Sequence, residues 1–355
     1  MKPDYLRGNT LVHPSLPARQ SRRTLKKPAG VTAKALSLCI AAWAVTGAVA
    51  AGSAFAAGHT NAVPVQKAQV PGYFRLPVGT MTVTALFDGV VDIDAALLGG
   101  ASRQVIRSSL HRNFLPTGAP VQTPVNAYLV ETGENTILVD TGTAKLFGPR
   151  LGFILENLRA AGYQPTDIDT ILLTHLHPDH AGGLLAEGGT MAFPNARVYV
   201  PKADADYWLS RDSERHARPD QRALFKMSRD AVAPYLATGR LTVFDAGQPI
   251  RKGVTAIAAG GHTPGHTAYL FASRGGDMLV WGDIIHSAAV QFPHPEVAIE
   301  FDSDKQQAVK TRNALLSYAA ARRVWVAGAH IPFPGIGHVG VDQASSYRWV
   351  PADYR

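Results

Sequence analysis

The chain has 355 residues, enough for one large or two ordinary domains with a sizeable core. With 46% hydrophobic and 17% charged residues and a mean hydropathy of −0.02, it is neither wholly disordered nor a polytopic membrane protein. The net charge of +8 sits at the N-terminus: Lys2, Arg7, Arg19, Arg22, Arg23, Lys26, Lys27 and Lys34 face only Asp4 within residues 1–56, so the rest carries +1 and no nucleic-acid footprint.

Behind the basic stretch an apolar run over 35–51 leads to Ser53-Ala54-Phe55-Ala56-Ala57. A charged region, an apolar core and an A-x-A site predict an export signal over residues 1–56, cut after Ala56. Ser21-Arg22-Arg23-Thr24-Leu25-Lys26-Lys27 resembles the twin-arginine motif, which exports folded proteins across the bacterial inner membrane. The expected location is therefore periplasmic or secreted, without stable membrane association after cleavage. Cys39, the only cysteine, lies inside the signal. The mature chain then has no disulfide and no cysteine-ligated zinc, and any metal must be held by histidines and carboxylates. Residues 57–79, rich in Pro, Gly and Ala, predict an extended arm, which offers a means of exchange between subunits of a homodimer.

Strands are expected at 81–86, 127–130 and 137–139, with a turn at Asn135 between the last two. A helix over 151–161 stops at Gly162, and strands follow at 169–173 and 196–200. Helices over 203–210 and 219–237 lead to strands at 241–244, 254–258, 268–271 and 278–281, a helix over 304–323 and a last strand at 324–327. Strands that run into His- and Asp-rich loops, with helices between them, predict a layered α/β domain over 80–355 whose site lies at strand ends.

The segment Thr174-His175-Leu176-His177-Pro178-Asp179-His180 closes one such strand. Two histidines at i and i+2 of extended chain point the same way and can reach one ion; Asp179 and His180, re-aimed by the turn at Pro178, can reach a second. His262 in Gly261-His262-Thr263-Pro264-Gly265-His266-Thr267, Asp283 in Trp281-Gly282-Asp283 and His330 in Gly328-Ala329-His330 each follow an expected strand and fall on the same rim. For His59, His111, His216 and His294 an ordinary core or surface role is expected. The order H-x-H-x-D-H, H-T-P-G-H, G-D and A-H resembles the metallo-β-lactamase superfamily of binuclear metallohydrolases over residues 80–340, and Val139-Asp140-Thr141-Gly142 matches its first motif.

That resemblance implies a four-layer αββα sandwich and two divalent metal ions. It places His175, His177 and His262 on one ion, Asp179, His180 and His330 on the other, and Asp283 between them. Asp140, Thr174 and His266 would orient these ligands by hydrogen bonds. The nitrogen and oxygen donors suit zinc best, and two cations sharing a water acidify it enough to supply hydroxide near neutral pH. Catalytic roles fall to Asp179, Asp283 and His286.

Phrases outside the ligands, among them Leu146-Phe147-Gly148-Pro149, Ala288-Ala289-Val290-Gln291-Phe292 and Pro332-Phe333-Pro334-Gly335-Ile336, resemble methyl parathion hydrolases and related lactonases and esterases. The resemblance implies a substrate pocket lined by Phe147, Trp208 and Leu224, with mere helix packing weighed equally for Trp208. The chain departs from that group at His286, Ile299 and Phe301, which are also placed in the pocket. An imidazole at His286 suits a polar acyl group or proton transfer to a leaving alkoxide better than a bulky phosphotriester. The expected reaction is therefore opening of lactones or cleavage of aryl esters, with organophosphate triester hydrolysis secondary or, in the alternative, the main activity. A β-lactamase fits less well because the ligand set is rich in carboxylates and has no cysteine. A non-catalytic periplasmic metal-binding module would need none of the pocket residues.

Overall fold

Alternation along the strands decides the layers. In this computed structural model, which describes residues 72–343 and 346–353, Leu129 and Leu138 point to one side of their sheet while Tyr128, Val130, Ile137 and Val139 point to the other. The expected export signal and residues 57–71 of the expected arm lie outside the described residues.

In chain order the first half holds β1 (Tyr73–Val78), β2 (Met81–Ile93), β3 (Leu98–Gly99), α1 (Arg103–Arg112), β4 (Val121–Glu131), β5 (Thr136–Val139), α2 (Ile154–Ala160), β6 (Thr170–Leu172), α3 (Pro178–Ala181), β7 (Arg197–Pro201), α4 (Lys202–Trp208), α5 (Arg211–His216), α6 (Arg222–Ala237) and β8 (Leu241–Phe244). The second half holds β9 (Pro249–Arg251), β10 (Val254–Ala258), β11 (Thr267–Phe271), β12 (Met278–Val280), α7 (Ala288–Gln291), β13 (Ala298–Ile299), α8 (Lys305–Arg322), β14 (Trp325–Ala327), β15 (Ile336–Gln343) and β16 (Ser346–Pro351).

One seven-stranded sheet runs β1-β2-β4-β5-β6-β7-β8 and the other β16-β15-β14-β12-β11-β10-β9, while β3 and β13 pair separately. Leu76, Val83, Tyr128 and Val139 of the first sheet meet Tyr269, Phe271, Val280 and Ile336 of the second in a buried central layer. Outside the first sheet, Leu158 of α2 and Phe225, Val232 and Tyr235 of α6 pack on Leu129 and Ile171. Outside the second, Leu315, Leu316 and Ala319 of α8 pack on Leu279 and Val326. Each fully buried Leu or Phe contributes roughly 1.5–3 kcal/mol, and together these faces make the expected αββα sandwich. Among the described residues no helix is long and apolar enough to cross a membrane.

The arm expected over 57–79 is corrected at its C-terminal end. Residues 73–78 form edge strand β1, antiparallel to β2, with Leu76 and Val78 buried; Pro77 is tolerated because an edge strand can lack a donor. Strand β2 runs past the expected end at residue 86 to Ile93 because a bulge between Phe87 and Gly89 keeps it paired with β4. Gly89 has φ +126°, and a Cβ there would lie 2.0 Å from the Arg150 carbonyl oxygen. Helix α1 and the β15–β16 hairpin were not anticipated. The expected helix over 304–323 is α8, capped by Asp304, whose side chain accepts from the Gln307 N–H at 2.9 Å.

The site is placed by strand ends. Strands β5, β6 and β7 are mutually parallel, as are β12 and β14. The chain leaves β5 at Asp140, β6 into His175–His180, β12 into Asp283 and β14 into His330, while the β10–β11 connection carries His262 and His266.

Candidate metal centre

The expected histidines and carboxylates converge on two groups that could each hold a metal ion: His175, His177, His262 and Asp283, and Asp179, His180, Asp283 and His330. His177 is the N-cap of α3 and Pro178 its first residue, so the chain turns there and re-aims Asp179 and His180; the His180 ring centroid lies 4.0 Å from that of His175. Asp283 stands between the groups. Its Oδ2 lies 3.2 Å from His262 Nε2 and 3.2 Å from His330 Nε2, and its Oδ1 lies 3.1 Å from His180 Nε2. Gly282, at φ +57°, precedes it because a Cβ there would fall 2.6 Å from His266 Nε2.

Hydrogen bonds on the far side of each ring assign the tautomers. His180 Nδ1 donates to Asp140 Oδ2 at 2.9 Å, and His330 Nδ1 to the Pro124 carbonyl at 2.8 Å. His262 Nδ1 donates to Asp302 Oδ1 at 3.0 Å. Thr174 Oγ1 donates to Asp140 Oδ2 at 2.9 Å and so accepts from His175 Nδ1 at 3.0 Å. In each case Nε2 is the nitrogen that faces inward, where a metal ion can take the place of its proton, the arrangement that metal-binding histidines need. Asp140 reaches these donors from a left-handed backbone, φ 59°, strain of the kind that is held at functional sites.

The residues fit two cations. His175 Nε2, His180 Nε2 and Asp283 Oδ1 are buried without a hydrogen-bond partner, and such orphans cost free energy unless something else satisfies them. His262 Nε2 lies 3.0 Å from His177 Nδ1, so two ring nitrogens face one point. Against burial that lowers them, Asp283 together with Asp302 for His262 and with Asp179 for His330 pushes the imidazoles up to about 9 and about 10. The same negative field attracts metal cations.

His266 is not free to ligate. Its Nδ1 donates to the Ala259 carbonyl at 3.1 Å, and its Nε2 accepts the Asp283 N–H at 3.0 Å. Burial brings it down to about 3, so it stays neutral and keeps that acceptor.

Phe147, Trp208, Leu224, Phe301 and His286 line one cavity of about 630 Å³ together with His177, Asp179, His262, Asp283 and His330. Trp208 serves both readings: it packs 4.5 Å from Phe225 and presents an edge to the His177 ring at 4.8 Å. His286 is buried, with Nε2 3.1 Å from Asp283 Oδ2 and its ring stacked on His330 at 5.1 Å. Ile299 does not join this cavity, which corrects its placement. Strand β13 ends at Ile299, and the Asp302 N–H closes a turn onto the Ile299 carbonyl. Phe301 therefore faces the metal side, while Ile299 is buried among Leu98, Ile106 and Leu110.

Three buried residues went unnoticed in the sequence. Asp302 holds His262 and also accepts the Ile299 N–H at 3.0 Å. Asp204 accepts the Leu176 and Gly265 N–H groups at 2.8 and 2.7 Å, tying the two histidine loops together, and burial pushes it up to about 6. Arg312 donates to the Ile284, Pro295 and Val297 carbonyls and bundles the loop that carries His286. The one available signal was an arginine on the apolar face of its helix, with Ala308, Leu315 and Leu316.

This fold and this paired site define a metal-dependent hydrolase. Residues 120–330 match the family described as the metallo-beta-lactamase superfamily, and the chain belongs to it. An N-acyl homoserine lactonase of Bacillus sp. is 28% identical over 200 residues, covering 51% of this chain and 71% of that protein. Among solved structures, the hydrolase AbOPH of the beta lactamase superfamily is 39% identical with a TM-score of 0.78, over 81% of this chain and 100% of that one. AidC, a dizinc quorum-quenching lactonase in complex with a product, is 26% identical with a TM-score of 0.74, over 80% and 98%.

Proposed function

We propose that this protein opens the ring of N-acyl homoserine lactones. The observation that carries this reading is the carboxylate-linked pair of cation groups on the wall of a cavity whose other walls include Phe147, Trp208 and Leu224. The relatives named above as lactonases support it; they lend no support to organophosphate hydrolysis.

His175, His177 and His262 would hold one ion, Asp179, His180 and His330 the other, and Asp283 both. When bound, two divalent cations, zinc by donor type and by the dizinc relative, acidify water and polarise the ester carbonyl. The chain does the rest. Asp140, Thr174, Asp302 and the Pro124 carbonyl fix the ring orientations, so the ligands need no rearrangement during the reaction. Phe147, Trp208 and Leu224 exclude bulk water from the lactone ring. In ring opening the water oxygen bonds to the acyl carbon, the bond from that carbon to the ring oxygen breaks, and a proton must reach the departing alkoxide. Asp179, whose side chain is 26% exposed beside His180 and His330, would take the proton that the attacking water gives up and pass it to that alkoxide. His286 packs against Asp283 and presents a polar wall to the acyl group.

We further place the protein in the periplasm or outside the cell on its N-terminal signal.

The test is metal analysis of the purified protein followed by lactone turnover. Ring opening that a chelator abolishes and added metal restores is expected. Protein with two metals per chain that opens no lactone faster than buffer would overturn the assignment.

A further inference from the structure

Beside the cation groups lies a second cavity, of about 500 Å³. Its deep walls are apolar, with Leu98, Leu110, Val121, Phe292, Ile299 and Trp349. Several of these belong to a small apolar cluster apart from the sandwich layers, built by α1, β3, β13 and the segment around α7. Of its polar lining residues Thr123, His286 and His330 are buried, while Arg348 and Asp342, both exposed, stand 3.7 Å apart at the rim. Ile93, His286 and His330 line both cavities, so the second begins where the cation site ends.

We propose that this second cavity receives the acyl tail of the substrate, and that the substrates are lactones carrying medium or long unbranched acyl chains. The inference rests on the lactone reading above and adds where the tail goes. A hydrocarbon tail gains from apolar walls, and each methylene taken from water is worth about fourfold in binding. The cation cavity is a poorer host for it, because Asp92, Arg218, Glu300 and Lys305 are among its walls. The cation cavity also has apolar walls at Phe147, Trp208 and Leu224, but a substrate with its ring carbonyl at the metals reaches the less polar room past Ile93 and His286, which line both cavities. Ile299, expected in one pocket with Phe147 and Trp208, lies on this tail route instead.

Ala289 and Ala95 are half-buried residues on the cavity wall, packed at the edge of its apolar cluster, so Ala289→Trp and Ala95→Trp fill it from two sides. With the metal-containing full-length protein, kcat/KM is compared for N-butanoyl- and N-decanoyl-homoserine lactone, and binding of ring-opened N-decanoyl-homoserine is titrated by calorimetry. The wild type should prefer the decanoyl lactone by on the order of a hundredfold or more, the worth of burying about three to four of its six extra methylenes. Each variant should keep the butanoyl rate within about twofold while losing tenfold or more of that preference and of the affinity for the opened acid. The inference is overturned if a folded variant keeps the wild-type ratio and affinity, if both chain lengths lose equally, or if the wild type shows no preference. Should the wild type open neither lactone, the activity reading fails, and the acid titration alone decides the cavity: weaker binding in the variants supports it, unchanged binding refutes it.

Discussion

Replacing Asp302 separates the two cation groups. Its Oδ1 accepts from His262 Nδ1 at 3.0 Å, its Oδ2 accepts the Ile299 N–H at 3.0 Å, and Arg312 Nη2 lies 3.8 Å from Oδ2. Against burial that would raise it, His262 holds this carboxyl below its ordinary value, so it is a charged partner near neutral pH. Asp302→Asn keeps the shape but turns an NH2 towards one of two donors, so either His262 or Ile299 loses its acceptor. Partners of this kind are worth 10- to 100-fold in metal affinity, or about 1.4–2.8 kcal/mol. The loss should fall on the ion held by His175, His177 and His262, and leave the one held by Asp179, His180 and His330. Chelator titration with metal analysis should then show one ion leaving at lower chelator concentration than in the wild type, and the second leaving as before. Melting of the metal-free proteins is the control, because Asp302→Ala also strands the Ile299 N–H and the buried Arg312, costing about 1–3 kcal/mol without any metal. A folded Asp302→Asn protein that keeps both ions with wild-type chelator resistance, or loses both together, would refute the argument.

Other substitutions test other links. Asp283→Ala removes the carboxylate shared by both groups and should cost at least one ion and most of the turnover; full activity with fewer than two metals per chain would sink the two-ion site. His286→Leu exchanges a buried polar wall for an apolar one and should move the ratio of lactone to aryl phosphotriester kcat/KM by about tenfold towards the phosphotriester, with metal content unchanged. An unmoved ratio in a fully metallated variant would take His286 out of substrate contact. Replacing Arg22 and Arg23 by lysine should leave the precursor in the cytoplasm, since the twin-arginine signal is read by a receptor; normal periplasmic yield would point to the general secretory route.

What the sequence made legible, and what it hid, follows from the range over which each interaction acts. Strands 241–244 and 254–258 were read to the residue because their apolar residues and the glycines or polar residues around them are local signals. The ligand groups were equally readable: the ligands lie in the loops that follow strands, with Asp179 and His180 in the short helix after one of them, so local sequence places them. Strand β1 was misread because a short edge strand with Pro77 has the composition of a linker until β2 is beside it. Asp204, Asp302 and Arg312 were missed for a related reason. Each bonds to groups 15 to 61 residues away, and no spacing in the chain announces a buried charge whose partners lie in another loop.

The placement of Ile299 shows where a family resemblance misleads: it put Ile299 and Phe301 in one pocket with His286, and the local turn separates them. Residues 299 and 301 would share a face only if the strand continued. The bond from the Asp302 N–H to the Ile299 carbonyl breaks the alternation, and the same residue's carboxylate reaches His262. One aspartate thus ends the strand, sends Phe301 towards the metals and Ile299 towards the apolar cavity, and orients a metal-facing imidazole. The boundary between the part of the site that handles the ester and the part that can handle a tail is set by that turn.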